Sequence, residues 1–315
     1  MIDEQHCFGI TDRGQKRENN QDSFLIASLS KSILVGGNSL GLTPDSRLFG
    51  DVRGCLMLVA DGMGGHAGGE RASSMAIRYL VDRLLNNVHW FFEFTRDAER
   101  EFIASLDRLL QDAHRQIRAA GQRDQSLLGM GTTLTMTYLV WPNLYVVHAG
   151  DSRCYLVRGD EVEQLTTDHT LAHRLVEAGG MRPDEEATSR WSNVLWNVLG
   201  GKSEESLRAE IRQVRLEPGD RILLCSDGLH RHLDELRIVE TLNRAASCEA
   251  ACQSFVDWAN SCGGDDNITA VVARIPSDIA TSQASEIVQQ EKPSATHKTT
   301  VDFAAVDRDG SAGTV

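Results

Sequence analysis

The sequence predicts a layered α+β fold in which antiparallel β-sheet packs against helices. Helical patterns occur in blocks, and the strand patterns between them occur in hairpins. A parallel sheet would instead require strands and helices to alternate along the chain. Apolar residues make up 41% of the 315 residues, which is enough to bury one large core or two smaller ones. A disordered or collagen-like chain is therefore excluded.

The first predicted strand is a short apolar run over residues 56–60. Two amphipathic helices follow between residues 69 and 120, because apolar residues recur there at the i, i+3, i+4, i+7 spacing of one helix face. Apolar residues then alternate with Thr133, Thr135 and Thr137, which predicts a half-buried strand. The other predicted elements are strands over 143–149, 154–157, 161–165, 221–225 and 268–275, and helices near 171–178, 235–246 and 249–260.

Two segments lack such periodicity. Residues 30–54 are predicted to be irregular, because the segment is long for a connection and carries several glycines and a proline. The segment is either a partner-binding insertion or slack chain. From residue 277 onward Ser, Thr, Gln, Glu and Ala dominate the composition. We therefore expect one folded domain over residues 1–276 and a disordered tail over residues 277–315.

Composition and charge exclude several classes of partner. No apolar run approaches the roughly 20 residues that cross a bilayer, so we expect no membrane association. The N-terminus has no basic region followed by an apolar stretch, which predicts a cytoplasmic location. The net charge is −13, from 32 basic and 45 acidic residues, so nucleic acid is not an expected partner. The seven cysteines contain no CxxC pair and fit neither a disulfide framework nor a zinc ribbon.

Four predicted strand ends carry an aspartate beside glycine. These aspartates are Asp61, Asp151 and Asp227, which follow strands, and Asp266, which precedes the last strand. One such pair alone is most often a turn. Four carboxylates brought together repel one another unless cations neutralise them, and oxygen ligands without Cys or His favour Mg2+ or Mn2+. Two such ions can share a bridging water and clamp a phosphoryl group, which predicts hydrolysis of a phosphate ester.

The glycine-rich segment over residues 61–70 has an alternative interpretation as a nucleotide-binding loop. The Gly-Lys-Ser/Thr ending of a P-loop is missing, which argues against that alternative. The glycines instead favour a close approach of the backbone to an ion, with the carbonyl of Gly62 as a ligand.

Eight motifs, in order, resemble those of the type 2C metal-dependent protein phosphatases (PPM family), bacterial branch. The resemblance spans about residues 6–275, and eight motifs in order make coincidence a poor explanation. The motifs are Thr11-Asp12-Arg13-Gly14, Arg17-Glu18-Asn19-Asn20-Gln21-Asp22, Asp61-Gly62-Met63-Gly64-Gly65-His66, Gly131-Thr132-Thr133, Gly150-Asp151-Ser152-Arg153, Asp168-His169-Thr170, Ser226-Asp227-Gly228-Leu229 and Asp266-Asn267-Ile268-Thr269.

The resemblance implies a central antiparallel β-sandwich of two sheets flanked by helices on both sides. It implies that residues 1–276 are a catalytic domain that hydrolyses phosphoserine and phosphothreonine in proteins by attack of a water bridging two Mg2+ or Mn2+ ions. The partners would be phosphorylated proteins, including a bacterial Ser/Thr kinase or its substrates, and we expect a monomer. By this resemblance, Asp61 would bridge the two core ions, the carbonyl of Gly62 would bind one of them, and Asp227 and Asp266 would bind the other. Asp151 would bind a third and weaker ion. Asp22 would orient the water, and Arg17 would bind the substrate phosphate.

The sequence departs from the family pattern at several positions. Gln21 stands where many members have Glu, and an amide is a weaker metal ligand than a carboxylate. Met63 stands where eukaryotic relatives carry a His that protonates the leaving group, so the general acid is unassigned. His66 is one candidate for that role, and a structural histidine is the alternative. Asn197 stands where relatives often have a basic residue.

Two functional alternatives remain open from the sequence. A non-catalytic relative would bind phosphoproteins, but it should have lost metal-binding carboxylates that this chain retains. A phosphoesterase for small molecules or nucleic acid would be expected to have a basic pocket or groove. Residues 168–192 correspond to a flap beside the active site that either selects protein substrates or is an ordinary helix and loop.

Overall fold

The structure is a computed structural model that describes residues 6–87, 96–202 and 206–278. The strands are β1 (Cys7–Asp12), β2 (Ser23–Leu34), β3 (Arg47–Ala60), β4 (Gly62–Met63), β5 (Gly131–Thr132), β6 (Leu134–Val140), β7 (Asn143–Ala149), β8 (Arg153–Arg158), β9 (Glu161–Gln164), β10 (Leu199–Gly200), β11 (Glu210–Arg215), β12 (Arg221–Cys225) and β13 (Ile268–Arg274). The helices are α1 (Gly65–Asn87), α2 (Arg96–Arg123), α3 (Leu171–Glu177), α4 (Asp227–His230), α5 (Glu235–Arg244) and α6 (Cys248–Ser261).

Two antiparallel sheets of five strands form the centre of the fold. One has the order β1-β13-β12-β8-β9 and the other the order β11-β7-β6-β3-β2. A small third sheet, β10-β5-β4, lies next to the start of α1. The predicted antiparallel β-sandwich is confirmed.

Three apolar layers alternate with the sheets because strand side chains point to opposite faces in turn. In β3, Leu56 and Leu58 face the layer formed with α1 and α2. Met57 and Val59 face the layer between the two sheets. A third layer packs the outer face of the other sheet against α5 and α6. Helices therefore flank the sandwich on both sides, and residues 55–60 of β3 form a continuous apolar run because both faces of this part of the strand are covered.

The predicted helices are present, with bounds that differ by a few residues. α5 begins after Asp234, whose side chain accepts a hydrogen bond from the backbone N–H of Arg237. α6 begins after Ser247, whose hydroxyl accepts one from the backbone N–H of Ala250. Both side chains satisfy a backbone donor that the first helical turn leaves free.

The prediction of an irregular segment over residues 30–54 is wrong for residues 30–34 and 47–54, which lie in β2 and β3, whereas residues 35–46 form an irregular connection between the two strands. The strands β2 and β3 pair along their whole length, from Ser23 opposite Ala60 to Leu34 opposite Arg47, with one register shift near Ser30. The segment is therefore the outer part of a long β-hairpin. Hydrogen bonds between the two strands supply a regular structure that the local mixture of polar and glycine residues did not predict.

No helix among residues 6–87, 96–202 and 206–278 is long and apolar enough to cross a membrane. Residues 279–315, which make up nearly all of the predicted tail, lie outside the described part of the chain.

Candidate active site

The acidic residues predicted from the strand ends meet at one end of the sandwich, around a cavity of about 790 Å³. Asp61 follows β3, Asp151 follows β7 by one residue, Asp227 begins α4 after β12, and Asp266 precedes β13. Asp22 precedes β2 and is buried nearby, and its charge is the largest of the charge effects on Asp61. The sequence-predicted residues that line the cavity are Arg17, Asp61, Gly62, Asp151, Asp227 and Asp266.

Two threonines hold the main chain of Asp61. The N–H of Asp61 donates to Thr133 Oγ1 at 2.9 Å, and its carbonyl accepts bonds from Thr133 N and Thr132 Oγ1, both at 2.9 Å. Thr133 Oγ1 also contacts the hydroxyl of Ser152 at 2.7 Å. All three hydroxyl residues are buried, so these bonds fix the end of β3 against the turn that follows β7. The two threonines therefore position Asp61.

One carboxylate oxygen of Asp22 is satisfied and the other is not. Asp22 Oδ2 accepts hydrogen bonds from Ser226 Oγ at 2.7 Å and Thr269 Oγ1 at 2.6 Å. Among the residues that the structure describes, neither Asp22 Oδ1 nor Asp227 Oδ1 has a hydrogen-bond partner, although both atoms are buried. Buried polar atoms in proteins nearly always have partners, so these two oxygens fit coordination positions for a hard cation.

Asn267 ties the loop over residues 13–21 to the acidic cluster. Its Nδ2 donates to the carbonyl oxygens of Arg13 at 2.9 Å and Asn19 at 3.0 Å. Its Oδ1 accepts a bond from the backbone N–H of Gln21 at 2.8 Å. One buried amide thus holds the loop at three points. Because Asn267 directly follows Asp266 in the chain, the loop is held next to the acidic cluster.

Arg17 reaches from this loop into the cavity. Its Nη2 donates to Asp266 Oδ2 at 2.6 Å, while 54% of its side chain is exposed. A guanidinium has a planar fork of donors that matches the oxygens of a phosphate group. Arg17 is therefore anchored on one side and free to present its other donors to an anion in the cavity.

The glycines next to two of the aspartates are required by the packing of backbone on backbone. A Cβ at Gly62 would lie 2.1 Å from the carbonyl oxygen of Gly69 and 2.7 Å from that of Gln21. A Cβ at Gly228 would lie 2.1 Å from the carbonyl oxygen of Asn267. No side chain fits at either position without displacing main chain. The Asp-Gly pairs therefore lie where cavity-lining segments of main chain pack closely against one another.

The acids of the cavity disfavour one another's ionised forms. Burial raises the pKa of Asp22 to about 7 and that of Asp151 to about 8. Burial, followed by the charges of the neighbouring acids, raises the pKa of Asp61 well above its usual range. Burial also raises the pKa of Asp227, and Arg231 acts in the opposite direction. Carboxylates this close ionise together only when positive charge is added, and divalent cations with oxygen ligands supply that charge.

The predicted flap over residues 168–192 lies beside this cavity. It contains α3 and a short 3-10 turn at Pro183–Glu185. The flap covers a second cavity of about 770 Å³, which shares Asp151, Asn193 and Arg231 with the first. Residues of the flap therefore line a cavity that adjoins the acidic cluster.

His148, His169 and Glu210 form a second group of possible metal-ligand residues, outside the cavity and at the base of the flap. His148 Nε2 lies 3.0 Å from the carbonyl oxygens of Gly150 and Thr167. His169 Nδ1 accepts hydrogen bonds from the backbone N–H of Gly150 at 3.1 Å and from the amide of Asn197 at 3.0 Å. These nitrogens are occupied by protein partners, so they are poor candidates for metal ligation. Asn197, where relatives often have a basic residue, therefore has a structural role as a hydrogen-bond partner of His169.

The sequence reasoning gave no role to several residues that the geometry makes important. Each is a hydroxyl, amide or basic side chain close to one of the aspartates. These residues are Thr132, Thr133, Ser226, Asn267, Thr269 and Arg231. Ser226 and Asn267 stand directly beside Asp227 and Asp266 in the sequence, and this adjacency was the signal that could have identified them.

The general acid stays unassigned, both at Met63, where eukaryotic relatives have a histidine, and at the candidate His66. Met63 borders the cavity, and a thioether cannot donate a proton. His66 lies in the first turn of α1, and its side chain is outside the part of the chain that the structure describes.

The family model described as protein phosphatase 2C matches residues 45–273. The chain belongs to the protein phosphatase 2C family. This phosphatase is 33% identical over 264 residues to protein phosphatase PhpP of Streptococcus pneumoniae, with 82% of this chain and 93% of the relative covered. It is also 33% identical over 217 residues to the serine/threonine phosphatase stp of Listeria innocua, with 69% of this chain and 83% of the relative covered. It is a protein serine/threonine phosphatase, a hydrolase that acts on phosphorylated proteins.

Solved structures show the same fold. The serine/threonine phosphatase of S. agalactiae matches with a TM-score of 0.70 and 30% identity, covering 85% of this chain and 98% of that one. The catalytic domain of PstP in complex with two manganese ions matches with a TM-score of 0.64 and 29% identity, covering 85% and 97% of the two chains. The manganese complex supports a divalent metal cofactor for the family.

Proposed function

We propose that this phosphatase depends on two core Mg2+ or Mn2+ ions and reverses the action of a bacterial Ser/Thr kinase. The observation that carries the proposal is the convergence of four aspartates at one cavity with Asp22 buried beside them, together with two buried oxygens that lack partners among the described residues. Acids this close would repel one another without a neutralising cation, as the raised pKa values of Asp22, Asp61, Asp151 and Asp227 indicate.

The metal-binding roles follow from the donor set. Asp61 would bridge the two ions, the carbonyl of Gly62 would bind one, and Asp227 and Asp266 would hold the other. Asp22 would orient the attacking water through the oxygen that the protein leaves free. When bound, the two ions supply an activated water for in-line attack on phosphorus and neutralise charge on the phosphoryl group.

The chain's own residues bind and position the substrate. Arg17 is the phosphate-binding residue, since its anchored guanidinium faces the cavity and its fork suits two phosphate oxygens. Asn267 keeps the loop of Arg17 in place, and Ser226 and Thr269 fix the orientation of Asp22. The groove under the flap over residues 168–192 would hold polypeptide next to the phosphorylated residue and contribute to substrate choice.

The proposal also covers the substrates, the oligomeric state and the location of the protein. The substrates would include a Ser/Thr kinase or the proteins that it phosphorylates, which accords with the bacterial Ser/Thr phosphatases that this chain resembles. We propose a monomer in the cytoplasm, with the catalytic domain over residues 1–276 and a disordered tail over residues 277–315.

Hydrolysis of a phosphothreonine peptide in Mn2+, in Mg2+ and in EDTA tests the proposal. Asp266→Asn should abolish most metal-dependent turnover, because it removes a ligand and the anchor of Arg17. Asp265→Asn is the matched control, since Asp265 pairs with Lys16 on the surface and does not line the cavity. Nucleotides assayed in parallel separate a protein phosphatase from a small-molecule phosphoesterase. Equal turnover in EDTA and Mn2+ would refute the metal dependence.

A further inference from the structure

Arg231 is a basic residue inside the acidic cluster that none of the roles above uses. It follows α4 directly, and its backbone N–H donates to the carbonyl of Asp227 at 3.2 Å. This turn places the guanidinium on the same side as the carboxylate four residues earlier, as i and i+4 positions do in a helix. Arg231 Nη2 contacts Asp227 Oδ2 directly and lies 4.0 Å from Asp151 Oδ2.

The two carboxylates that face Arg231 are nearly inaccessible, whereas the arginine is not. The side chains of Asp151 and Asp227 are 7% and 10% exposed, and that of Arg231 is 35% exposed. Arg231 borders both the acidic cavity and the groove under the flap. Its charge therefore faces two buried acids at the border of the two cavities.

Other nearby cations are already committed to different acids. Arg153 makes three hydrogen bonds to Asp168 and one to the hydroxyl of Tyr155. Arg17 is paired with Asp266. Among the ion pairs of the described residues, Arg231 is the arginine that reaches Asp151. Arg231 is thus the resident cation that faces Asp151.

A second contact fixes Asp151 against the same turn. His230 Nε2 donates to the backbone carbonyl of Asp151 at 2.9 Å. His230 is buried, so this bond is protected from water. Two consecutive residues therefore hold Asp151, one through its main chain and one through its carboxylate.

We propose that Arg231 takes the place of a third divalent cation at Asp151, so that this phosphatase holds two ions and excludes a third. A further ion at Asp151 would lie close to this guanidinium, which is 4.0 Å from the carboxylate, and would be repelled by its charge. Arg231 is thus a positioning residue that keeps Asp151 and Asp227 together without metal. The inference rests on the proposed two-ion function and specifies how the third position is filled.

Counting bound Mn2+ per chain by equilibrium dialysis tests the inference directly. The wild-type protein should bind two ions, and Arg231→Ala should bind a third, weaker one. That third ion should disappear in the double variant Arg231→Ala/Asp151→Asn. Arg231→Lys should bind two, because it keeps a positive charge at this position.

Controls make each outcome decisive. Arg244→Ala is the matched control, since Arg244 forms an i, i+4 pair with Glu240 on an exposed helix surface and neither residue lines either cavity. Circular dichroism shows whether each variant is folded, and Arg231→Lys still tests the account if Arg231→Ala fails to fold. A third ion in the wild-type protein that Asp151→Asn removes would overturn the inference, as would two ions in a folded Arg231→Ala variant.

Peptide hydrolysis measured on the same samples separates this inference from the proposed function. The expected ion counts without metal-dependent turnover would leave the role of Arg231 standing and refute the phosphatase mechanism. Metal-dependent turnover with a third wild-type ion at Asp151 would refute only the role of Arg231.

Discussion

Asn267→Ala tests whether one buried amide organises the phosphate-binding loop. The change removes three hydrogen bonds of 2.8–3.0 Å, to the main chain at Arg13, Asn19 and Gln21. Each is worth about 0.5–1.5 kcal/mol, so we expect a loss of about 3 kcal/mol in the free energy of unfolding. A loss of that size lowers the thermal midpoint by roughly 6–12 °C in a protein of this size.

The same substitution should weaken substrate binding, because Arg17 lies in the loop that Asn267 holds. A charged hydrogen bond is worth about 1.5–3 kcal/mol, so complete misplacement of Arg17 lowers kcat/KM for a phosphothreonine peptide by roughly 10- to 150-fold. Thermal unfolding in EDTA measures the first effect, and steady-state kinetics at saturating Mn2+ measure the second. Most of the kinetic loss should lie in KM.

Asn260→Ala is the matched control for this prediction. Asn260 contacts the same region through an exposed side-chain bond to Gln15 of the loop at 3.1 Å and a part-buried bond to Asp12 at the end of β1 at 3.2 Å. We expect a loss of about 1 kcal/mol or less and unchanged kinetics. A wild-type midpoint and a wild-type KM in Asn267→Ala would refute the reasoning.

Three further predictions concern protonation, backbone contact and the outer hairpin. In EDTA the free energy of unfolding should fall as the pH rises from about 7 to about 8 and level off above that, by up to about 1.4 kcal/mol per pH unit for each carboxyl, because folded Asp22 and Asp151 (pKa about 7 and about 8) hold protons that the unfolded chain has lost and release them in this range; urea unfolding from about pH 7 to about pH 9.5 measures it. Gly62→Ala should lower both peptide turnover and thermal stability, the latter by about 1–3 kcal/mol, whereas Gly36→Ala, where a Cβ meets no atom within 4 Å, should change neither. Replacing residues 36–44 by Asn-Gly should leave kcat/KM for a phosphopeptide unchanged, since this turn lies at the tip of the hairpin.

The outcomes that contradict these three predictions are distinct. Stability in EDTA that is flat or rises over the stated pH range would show that the carboxyls are ionised in the metal-free fold. The buried histidines have lowered pKa values in the fold, so they oppose the effect where histidines of the unfolded chain still bind protons, at and below about pH 6.5, and contribute progressively less above pH 7. Wild-type turnover in Gly62→Ala would remove the argument from close packing. A large loss of turnover in the shortened hairpin would assign it a role in catalysis.

The central elements of the fold could be predicted because each carries a local pattern. The helices α1 and α2 bury one stripe against a sheet, so their apolar residues keep helical spacing. Elements at the margins could not be predicted. β11 is an edge strand with charged side chains such as Arg212 and Arg215, and the outer halves of β2 and β3 depend on each other for pairing. Three strands of only two residues carry no pattern at all.

Some residues of the candidate site could likewise be predicted from the sequence, and others could not. Asp61, Asp227 and their neighbouring glycines were predicted because the residue pair after an apolar run is itself a sequence signal. The hydrogen bonds from Ser226 and Thr269 to Asp22 join residues more than 200 positions apart, so only the fold brings them together. Arg231 belongs to no motif, and its importance follows from the turn that places it against two acids.

The most direct test of the account is the Mn2+ dependence of phosphothreonine peptide hydrolysis by the wild-type protein and by Asp61→Asn. Asp61 lies at the centre of the cluster and keeps its main-chain bonds to Thr132 and Thr133 in the variant, so the fold should survive. We predict turnover that requires Mn2+ in the wild-type protein and a loss of at least about 100-fold in the folded variant. Turnover by folded Asp61→Asn at the wild-type rate, or wild-type turnover in EDTA, would contradict the central claim that this acidic cluster holds the catalytic ions.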